Sequence, residues 1–456
     1  MNELRALLEP HGQEQLLRFW DELDGAQRLQ LAADVAEIDL DLVDGLVSTL
    51  LESGPAQPDP GTIEAPEVVL PSAEDAEAGR EMLAAGEVAV VIVAGGQGTR
   101  LGFDGPKGCY PVGPVTDRSL FQIHAEKVVA LGRRHGVRVP LYVMTSPQNQ
   151  AETAAFFAQH DSFGVERLTL FVQGEMPAVD RTTGKILLAE RGQVALSPDG
   201  HGGTIRALER SGALAEMAGS GITTIFYLQV DNPLVAIGDA GFLGAHRRAG
   251  AEMSSKVVRK TDPAEKVGLV VMRDGRQEMI EYSDLPDELA GRRAPGGGLD
   301  LWAGSIALHL IDLGFAARLA EGGGRLPFHR AVKPVPYVDE SGRLVDPDAP
   351  NAVKFEQFIF DALPLADRSL VVETDRDTEF EPLKNAAGPA SPETVRARLS
   401  AVYAGWLEAA GVAVPRGTDG LPAYPIEISP LVSLDGADLP ERVDPGMDVA
   451  GPVVIS

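Results

Sequence analysis

One cysteine in 456 residues, Cys109, excludes an internal disulfide framework and fits a reducing cytoplasm. Lys107 stands two positions before it, and a neighbouring positive charge can lower a thiol pKa; a lone cysteine is otherwise a small packing residue. No apolar run approaches the roughly 18 residues that a membrane helix needs. The first residues carry Glu3 and Glu9 and no apolar segment of a secretory signal, so a cytoplasmic location is the expectation. The formal net charge of −27 argues against nucleic acid or an anionic membrane as a partner, because the bulk surface repels both. Lysine is scarce: of 40 basic residues only nine are Lys, so a lysine inside a glycine loop or an apolar strand asks for a reason. An acidic protein that binds an anion must gather its positive charge in one cleft, often with a divalent metal between.

What is present begins with one loop. Val88-Ala89-Val90-Val91-Ile92-Val93-Ala94 is continuously apolar and bounded by Gly86 and Gly95, which predicts a buried parallel strand. Gly95-Gly96-Gln97-Gly98-Thr99-Arg100 follows it, and then Gly105-Pro106-Lys107. A loop at the carboxyl end of a central strand is where α/β sheets bind ligands. Glycines there let backbone N–H groups approach a phosphate, and Arg100 and Lys107 add two positive charges, which together ask for a polyphosphate. The spacing is neither the G-x-G-x-x-G of a dinucleotide fold nor a Walker loop with G-K-[ST], so a redox dehydrogenase is excluded.

Along the chain, residues 1 to about 53 read as helices, and residues 54–72, with five prolines, as a linker or an extended wrap. A helix from Ser72 to Ala85 follows, with Ser72 as N-cap. From 87 onward, strands predicted at 88–94, 139–144, 167–172, 223–229, 268–272, 303–308 and 369–373 alternate with helices predicted at 119–134, 148–159, 203–217, 239–249, 310–320 and 354–364. Such alternation implies βαβ units and a mostly parallel sheet, an α/β fold. A helix over 392–410 and short strands at Ile426-Glu427-Ile428 and Val453-Val454-Ile455 end the chain. The expected division is a helical N-terminal region 1–85, a catalytic domain 86–385 and a small β-containing C-terminal domain 386–456.

Gly-Gly-x-Gly-Thr-Arg with its Pro-Lys resembles the signature of sugar-nucleotide pyrophosphorylases. Further blocks are similar to the UDP-N-acetylhexosamine pyrophosphorylase branch of the UDP-sugar pyrophosphorylases: Leu16-Leu17-Arg18-Phe19-Trp20, Met144-Thr145-Ser146, Leu196-Ser197-Pro198-Asp199-Gly200-His201-Gly202-Gly203, Gln229-Val230-Asp231-Asn232-Pro233, Ile280-Glu281-Tyr282-Ser283 and Phe380-Glu381-Pro382-Leu383-Lys384-Asn385. The resemblance implies a Rossmann-like, GT-A-like nucleotidyltransferase sheet with N- and C-terminal additions. It also implies transfer of uridylyl from UTP to a hexose 1-phosphate, with release of pyrophosphate. The attacking phosphate oxygen is ionised at neutral pH and needs no general base, which agrees with the lack of any Ser/His/Asp constellation; catalysis is then positioning and charge stabilisation.

On this reading the catalytic candidates are Arg100, Lys107, Lys354 and Lys384. Ala94, Gly95, Gly96, Gly98, Thr99, Lys107, Gly200, Asp231 and Lys333 are candidates for the nucleotide, and the resemblance implies that Gln173 reads the uracil through its amide. Asp231 closes the apolar strand Ile225–Val230, where a carboxylate can hold Mg²⁺, or Mn²⁺ as an alternative, while the nucleotide supplies other ligands; an N-cap or an Asx turn with Asn232-Pro233 is its structural reading. Gly200-His201-Gly202-Gly203 opens a helix, which suits an anion or a close sugar ring. The resemblance sets His201, Gly268, Glu281, Tyr282, Ser305 and Lys354 around the sugar.

Two positions depart from the N-acetylglucosamine branch, which usually has Asn at His201 and often Asn at Ser305. The UDP-glucose pyrophosphorylases carry Gly-His-Gly at the first of these loops, and His201 is bulkier than Asn and can titrate near neutrality. The expected substrate is N-acetylglucosamine 1-phosphate, with glucose 1-phosphate as the alternative and a non-catalytic nucleotide-sugar sensor as the competing class. The expected assembly is a monomer or homodimer.

Overall fold

In the computed structural model, which describes residues 1–51, 63–321 and 326–456, the apolar run Val88–Val93 is a strand with both faces covered. Only a strand sealed on both sides can bury five consecutive apolar residues, Val88 to Ile92. It pairs in parallel with Thr224–Gln229 on one side and with Leu141–Thr145 on the other, and Leu168–Val172 extends the parallel half. Beyond Thr224–Gln229 the sheet turns antiparallel through Ala303–Asp312 and Leu269–Arg273 to the edge strand Ile63–Glu64. Met253–Arg259, Arg276–Ile280 and Ser369–Glu373 complete ten strands among the described residues. The result is an α/β fold with a mixed sheet, parallel around the glycine loop.

This sheet belongs to the larger of two compact units, Pro60–Val172, Ile205–Gly324 and Ala362–Ser456; Met1–Asp59, Gln173–Thr204 and Arg325–Asp361 form the smaller. The division differs from the three consecutive blocks expected at 1–85, 86–385 and 386–456. Helix Ala73–Ala84, capped by the Ser72/Asp75 box, packs on helix Ala240–Ala249 of the larger unit. The C-terminal helix Pro392–Ala409 and the parallel pair Ile426–Ile428 and Val453–Ile455 share one apolar core with Val90 and Leu228. A continuous core, rather than chain order, sets the boundary. Residues 52–62, which include most of the expected proline-rich linker, lie outside the described residues, while Ile63–Glu64 is a strand.

The smaller unit has its own core of Leu8, Leu16, Leu31, Val35, Val179, Val353 and Phe355. Its N-terminal part is helical at Asn2–Leu8, Gly25–Glu37 and Leu40–Leu46, with 3₁₀ turns between. Strands Phe328–Lys333 and Ala352–Gln357 pair antiparallel, with Val179–Asp180 beside the second. The helix expected at 354–364 is therefore corrected to a strand followed by a 3₁₀ turn over Ile359–Leu365. Val353, Phe355 and Gln357 are buried alternately with Lys354 and Glu356, a period of two that the apolar residues downstream mask. The helix expected at 310–320 starts only at Leu313, because Ala303–Asp312 runs on as strand.

Helices Ala73–Ala84 and Ala240–Ala249 cross at glycines. A Cβ on Gly244 would fall 1.7 Å from the Asp75 carbonyl oxygen, and one on Gly79 would fall 1.9 Å from that of Ala240. Backbone has no room to yield there. Gly244→Val is expected to destabilise the protein by about 3 kcal/mol through overpacking, read as a lower urea midpoint at unchanged slope.

Candidate active site

The glycine loop leaves strand Val88–Val93 and closes on itself. Gly98 N–H donates to the Gly105 carbonyl at 2.9 Å, and Lys107 N–H to that of Gly96 at 3.1 Å. A side chain on Gly98 would strike the Phe103 ring at 2.7 Å, so glycine is required there by packing. Asn149, fully buried, donates its amide to the Ala94 carbonyl at 3.0 Å and fixes the loop's entry. Gly96, Thr99 and Arg100 are exposed, while Ala94 and Gly98 are buried. Pro106 ends the loop and starts a 3₁₀ turn at Lys107.

The parallel register Val93↔Gln229 delivers the ends of two neighbouring strands to one edge, and Asp231 lies just past the second. Lys107 Nζ donates to Asp231 Oδ2 at 3.0 Å, with both side chains mostly buried. Burial pushes the Asp231 carboxyl up, but the charges of Lys107 and Lys384 outweigh it and hold the group below the usual carboxylate range. Lys384 reaches this edge because Leu383 N–H donates to the Asp231 carbonyl at 2.8 Å. Asn232 then bridges two segments, giving its amide to the Glu379 carbonyl at 2.8 Å and accepting from Glu381 N–H at 3.2 Å. The turn here is made by the next residue and not by Asp231: Asn232 Oδ1 accepts from Leu234 N–H at 3.3 Å.

Within the same unit, Gly268, Glu281 and Ser305 come together. Ser305 N–H donates to the Gly268 carbonyl at 2.8 Å, and a Cβ on Gly268 would lie 3.3 Å from Glu281 Oε1. The antiparallel register Tyr227↔His309 puts Ser305 at the sheet end where Thr224–Gln229 runs into Asp231. Ser305 is buried and accepts from Ala307 N–H at 3.2 Å; Ala307 itself takes a left-handed φ of 56° beside the bulge. Tyr282 is exposed. Cys109 is a packing residue: burial, with the Glu152 charge, pushes its thiol up to about 12, so the neighbouring lysine does not activate it.

The smaller unit holds Gln173, Gly200, His201, Lys333 and Lys354. Gln173 is buried beside Gly174, whose carbonyl accepts from Asp199 N–H at 3.0 Å. Gly200 has φ +87°, and a Cβ on it would meet the Gln357 carbonyl at 2.4 Å; one on Gly202 would meet Phe358 N at 2.5 Å. These two glycines are thus accounted for by close backbone packing against the Ala352–Gln357 strand. His201 packs at a tilt against Phe358 and Phe360, and its Nδ1 accepts from Ile359 N–H at 3.2 Å. Burial, with the His329 charge, pushes it down to about 4, so the expectation that it titrates near neutrality is corrected: a ring in an aromatic cluster resists charge. Lys354 lies opposite Ala331, two residues from Lys333, so both lysines share one face of the strand pair.

Residues 58–388 match the model of the family described as UTP–glucose-1-phosphate uridylyltransferase. The chain belongs to the UTP–glucose-1-phosphate uridylyltransferase family. It is therefore a nucleotidyltransferase by family. It is 37% identical over 491 residues to the human UDP-N-acetylhexosamine pyrophosphorylase-like protein 1, covering 99% of this chain and 96% of that one. It is 38% identical over 389 residues to the UDP-N-acetylglucosamine pyrophosphorylase of Saccharomyces cerevisiae, covering 82% and 80%. Among solved structures, the uridine diphosphate N-acetylglucosamine pyrophosphorylase of Trypanosoma brucei superposes with a TM-score of 0.81 at 26% identity over 98% of this chain and 96% of that one.

For a uridylyltransferase the metal question turns on Asp231. Among the described residues no group of three or more His, Cys, Asp or Glu could hold a metal ion. A single ionised carboxylate fits Mg²⁺ only in the manner Mg²⁺ prefers, with waters and substrate phosphates as the remaining ligands. No described helix is long and apolar enough to cross a membrane.

Residues the motif reading passed over support the edge from behind. Lys127, buried, donates to the Pro233 and Val235 carbonyls at 2.6 and 2.8 Å, and His124 Nε2 contacts the Val230 carbonyl at 3.0 Å. The usable signal was the scarcity of lysine, since Lys127 and Lys256 both stand in apolar surroundings.

Asp231 is stabilising where it is ionised: its contribution is present above the ordinary carboxylate pKa and is lost as pH falls through its lower folded value. In Lys107→Met the buried carboxylate loses its nearest cation and its pKa rises. The variant is expected to be about 1–3 kcal/mol less stable at about pH 7, with the gap narrowing toward about pH 4, measured by urea unfolding at both. A gap independent of pH would count against the pair.

Proposed function

We propose that this protein transfers uridylyl from UTP to N-acetylglucosamine 1-phosphate, releasing pyrophosphate. The observation that carries the reading is the Lys107–Asp231 pair, set beside an open glycine loop at the ends of two parallel strands, with Lys384 adding charge to the same carboxylate. The acetamido sugar is supported by relatives named for it at 37% and 38% identity.

On this proposal the attacking phosphate oxygen needs no deprotonation, so the protein's task is alignment and neutralisation. Backbone N–H groups of Gly95, Gly96 and Thr99 hold the triphosphate, Ala94 and Gly98 shape the loop against it with their own N–H groups bonded to the Met144 and Gly105 carbonyls, and Arg100 and Lys107 stabilise the leaving pyrophosphate. Gln173 reads the uracil edge, and Gly200 and Lys333 assist the nucleotide. Lys354 and Lys384 neutralise the phosphate of the incoming sugar, and His201, Gly268, Glu281, Tyr282 and Ser305 line the sugar. Asp231 is the proposed Mg²⁺ ligand, with Mn²⁺ as an alternative; when bound, the ion neutralises phosphate charge and orients the nucleotide. The lone cysteine supports a cytoplasmic location, and a monomer or homodimer is part of the same proposal.

Pyrophosphate release with UTP and Mg²⁺ is expected to be fastest with N-acetylglucosamine 1-phosphate in a panel that includes N-acetylgalactosamine, glucose and galactose 1-phosphates. Gly200-His201-Gly202, which resembles the UDP-glucose enzymes, favours glucose as the second reading, and a preference for glucose would decide for it. Tight UTP binding without turnover on any sugar would replace the enzyme with a sensor. Asp231→Asn is expected to raise the Mg²⁺ concentration at half-maximal rate about tenfold or more; an unchanged metal titration would remove Asp231 as the ligand.

A further inference from the structure

Glu379 and Lys256 lie outside every residue assigned so far, and both are buried. Lys256 Nζ donates to Glu379 Oε1 and Oε2 at 2.7 and 2.8 Å and lies 2.6 Å from Asp239 Oδ2. Thr374 Oγ1 donates to Glu379 Oε2 at 2.6 Å, and Ala236 N–H to its Oε1 at 3.2 Å. The Glu379 carboxylate thus gathers a strand residue, a strand-end hydroxyl and the chain just past Pro233. Its backbone carbonyl is the acceptor for Asn232, the neighbour of Asp231. Five residues after Glu379 comes Lys384, in the stretch pinned to Asp231 through Leu383 N–H.

Every route from the rigid sheet to Lys384 on its N-terminal side therefore runs past Glu379. The segment Phe380–Lys384 has no regular secondary structure of its own to hold it. We propose that the buried Lys256–Glu379 pair is a positioning device for uridylyl transfer: it anchors the Glu379–Lys384 segment to the sheet, so that the Lys384 ammonium and the Asp231 carboxylate keep their mutual register. The inference rests on the proposed uridylyl transfer and on the use of Lys384 in it. Neither residue touches substrate; both act through Lys384 and Asp231. The buried charges explain why the link is rigid. A carboxylate that already accepts from three different partners has one geometry, and sub-ångström loss of alignment at the reacting phosphate is costly.

The decisive experiment is a double-mutant cycle on kcat. Glu379→Gln keeps the shape and leaves Lys256 paired with Asp239, so no charge is stranded. It is expected to lower kcat about tenfold with the KM for UTP within about twofold. In a Lys384→Ala background the same substitution is expected to cost less than about twofold, because the residue it positions is gone. Where Glu379→Gln does not fold, Thr374→Val removes one hydrogen bond to the same carboxylate and is expected to give a smaller fall that likewise vanishes with Lys384→Ala. A folded Glu379→Gln with wild-type kcat overturns the inference alone, as does a loss that persists undiminished in the Lys384→Ala background. A wild-type protein inactive on all four sugar phosphates overturns the functional reading and this inference with it, and so does full activity in Lys384→Ala for the role of Lys384.

Discussion

The parallel pairing of Val88–Val93 with Thr224–Gln229 is the constraint on which the rest depends. Two parallel strands in register must release their chains at the same edge. Here one releases the glycine loop and the other releases Asp231, so Lys107 and Asp231 meet across 124 residues of sequence without any long side-chain reach. Reversing or slipping that register would send the loop and the carboxylate to different edges or different faces. The flanking apolar cover, from Phe121, Phe242 and the C-terminal Leu399 and Tyr403, serves to keep this pairing buried.

Much of this was legible because the signals were local. A six-residue apolar strand, an N-cap serine followed by an acidic residue, and glycines after a strand are each read within one window. The same holds for Asp231, which sits directly beyond an apolar run, and for Lys107, which closes the glycine loop that follows the other. What was not legible is what depends on distant segments. Ala352–Gln357 is a strand only because Phe328–Lys333 lies beside it, and in isolation its apolar residues suit a helix equally well. The compact units draw on segments far apart in the chain, a fact no composition shift marks. Gly200 and Gly202 read as a ligand loop, and their shape is explained by Gln357 and Phe358, some 150 residues later. His201 was misjudged for the same reason: its depressed pKa comes from burial and from His329, which distant segments bring to it.

The family assignment and the geometry answer different questions. Family membership supports the class of chemistry over residues 58–388. The geometry says which charges in this chain are coupled. Lys107 and Lys384 act on one carboxylate, and Asp231 stays ionised because their charges exceed the penalty of burial. A charge cluster of this kind needs no proton donor or acceptor tuned near neutrality, and His201, which the sequence placed beside the sugar, has its pKa pushed down to about 4 by burial and by His329.

Charge economy explains the choice of lysine. With a net charge of −27, the surface is dressed with acidic residues and with arginine, much of it in exposed ion pairs such as Arg134–Asp435 and Arg416–Glu408. Arginine's planar fork suits those carboxylates, while a compact ammonium suits a phosphate oxygen or a tight buried pocket. Of the nine lysines, Lys107, Lys333, Lys354 and Lys384 stand at candidate phosphate or sugar positions, and Lys127, Lys256 and Lys260 are buried. Only Lys185 and Lys266 are exposed lysines outside the candidate positions. An anionic substrate approaching a strongly negative protein is repelled everywhere except where unneutralised cations concentrate. Arg100, Lys107 and Lys384, gathered around one sheet edge of the larger unit, give an otherwise acidic protein a local concentration of the opposite sign.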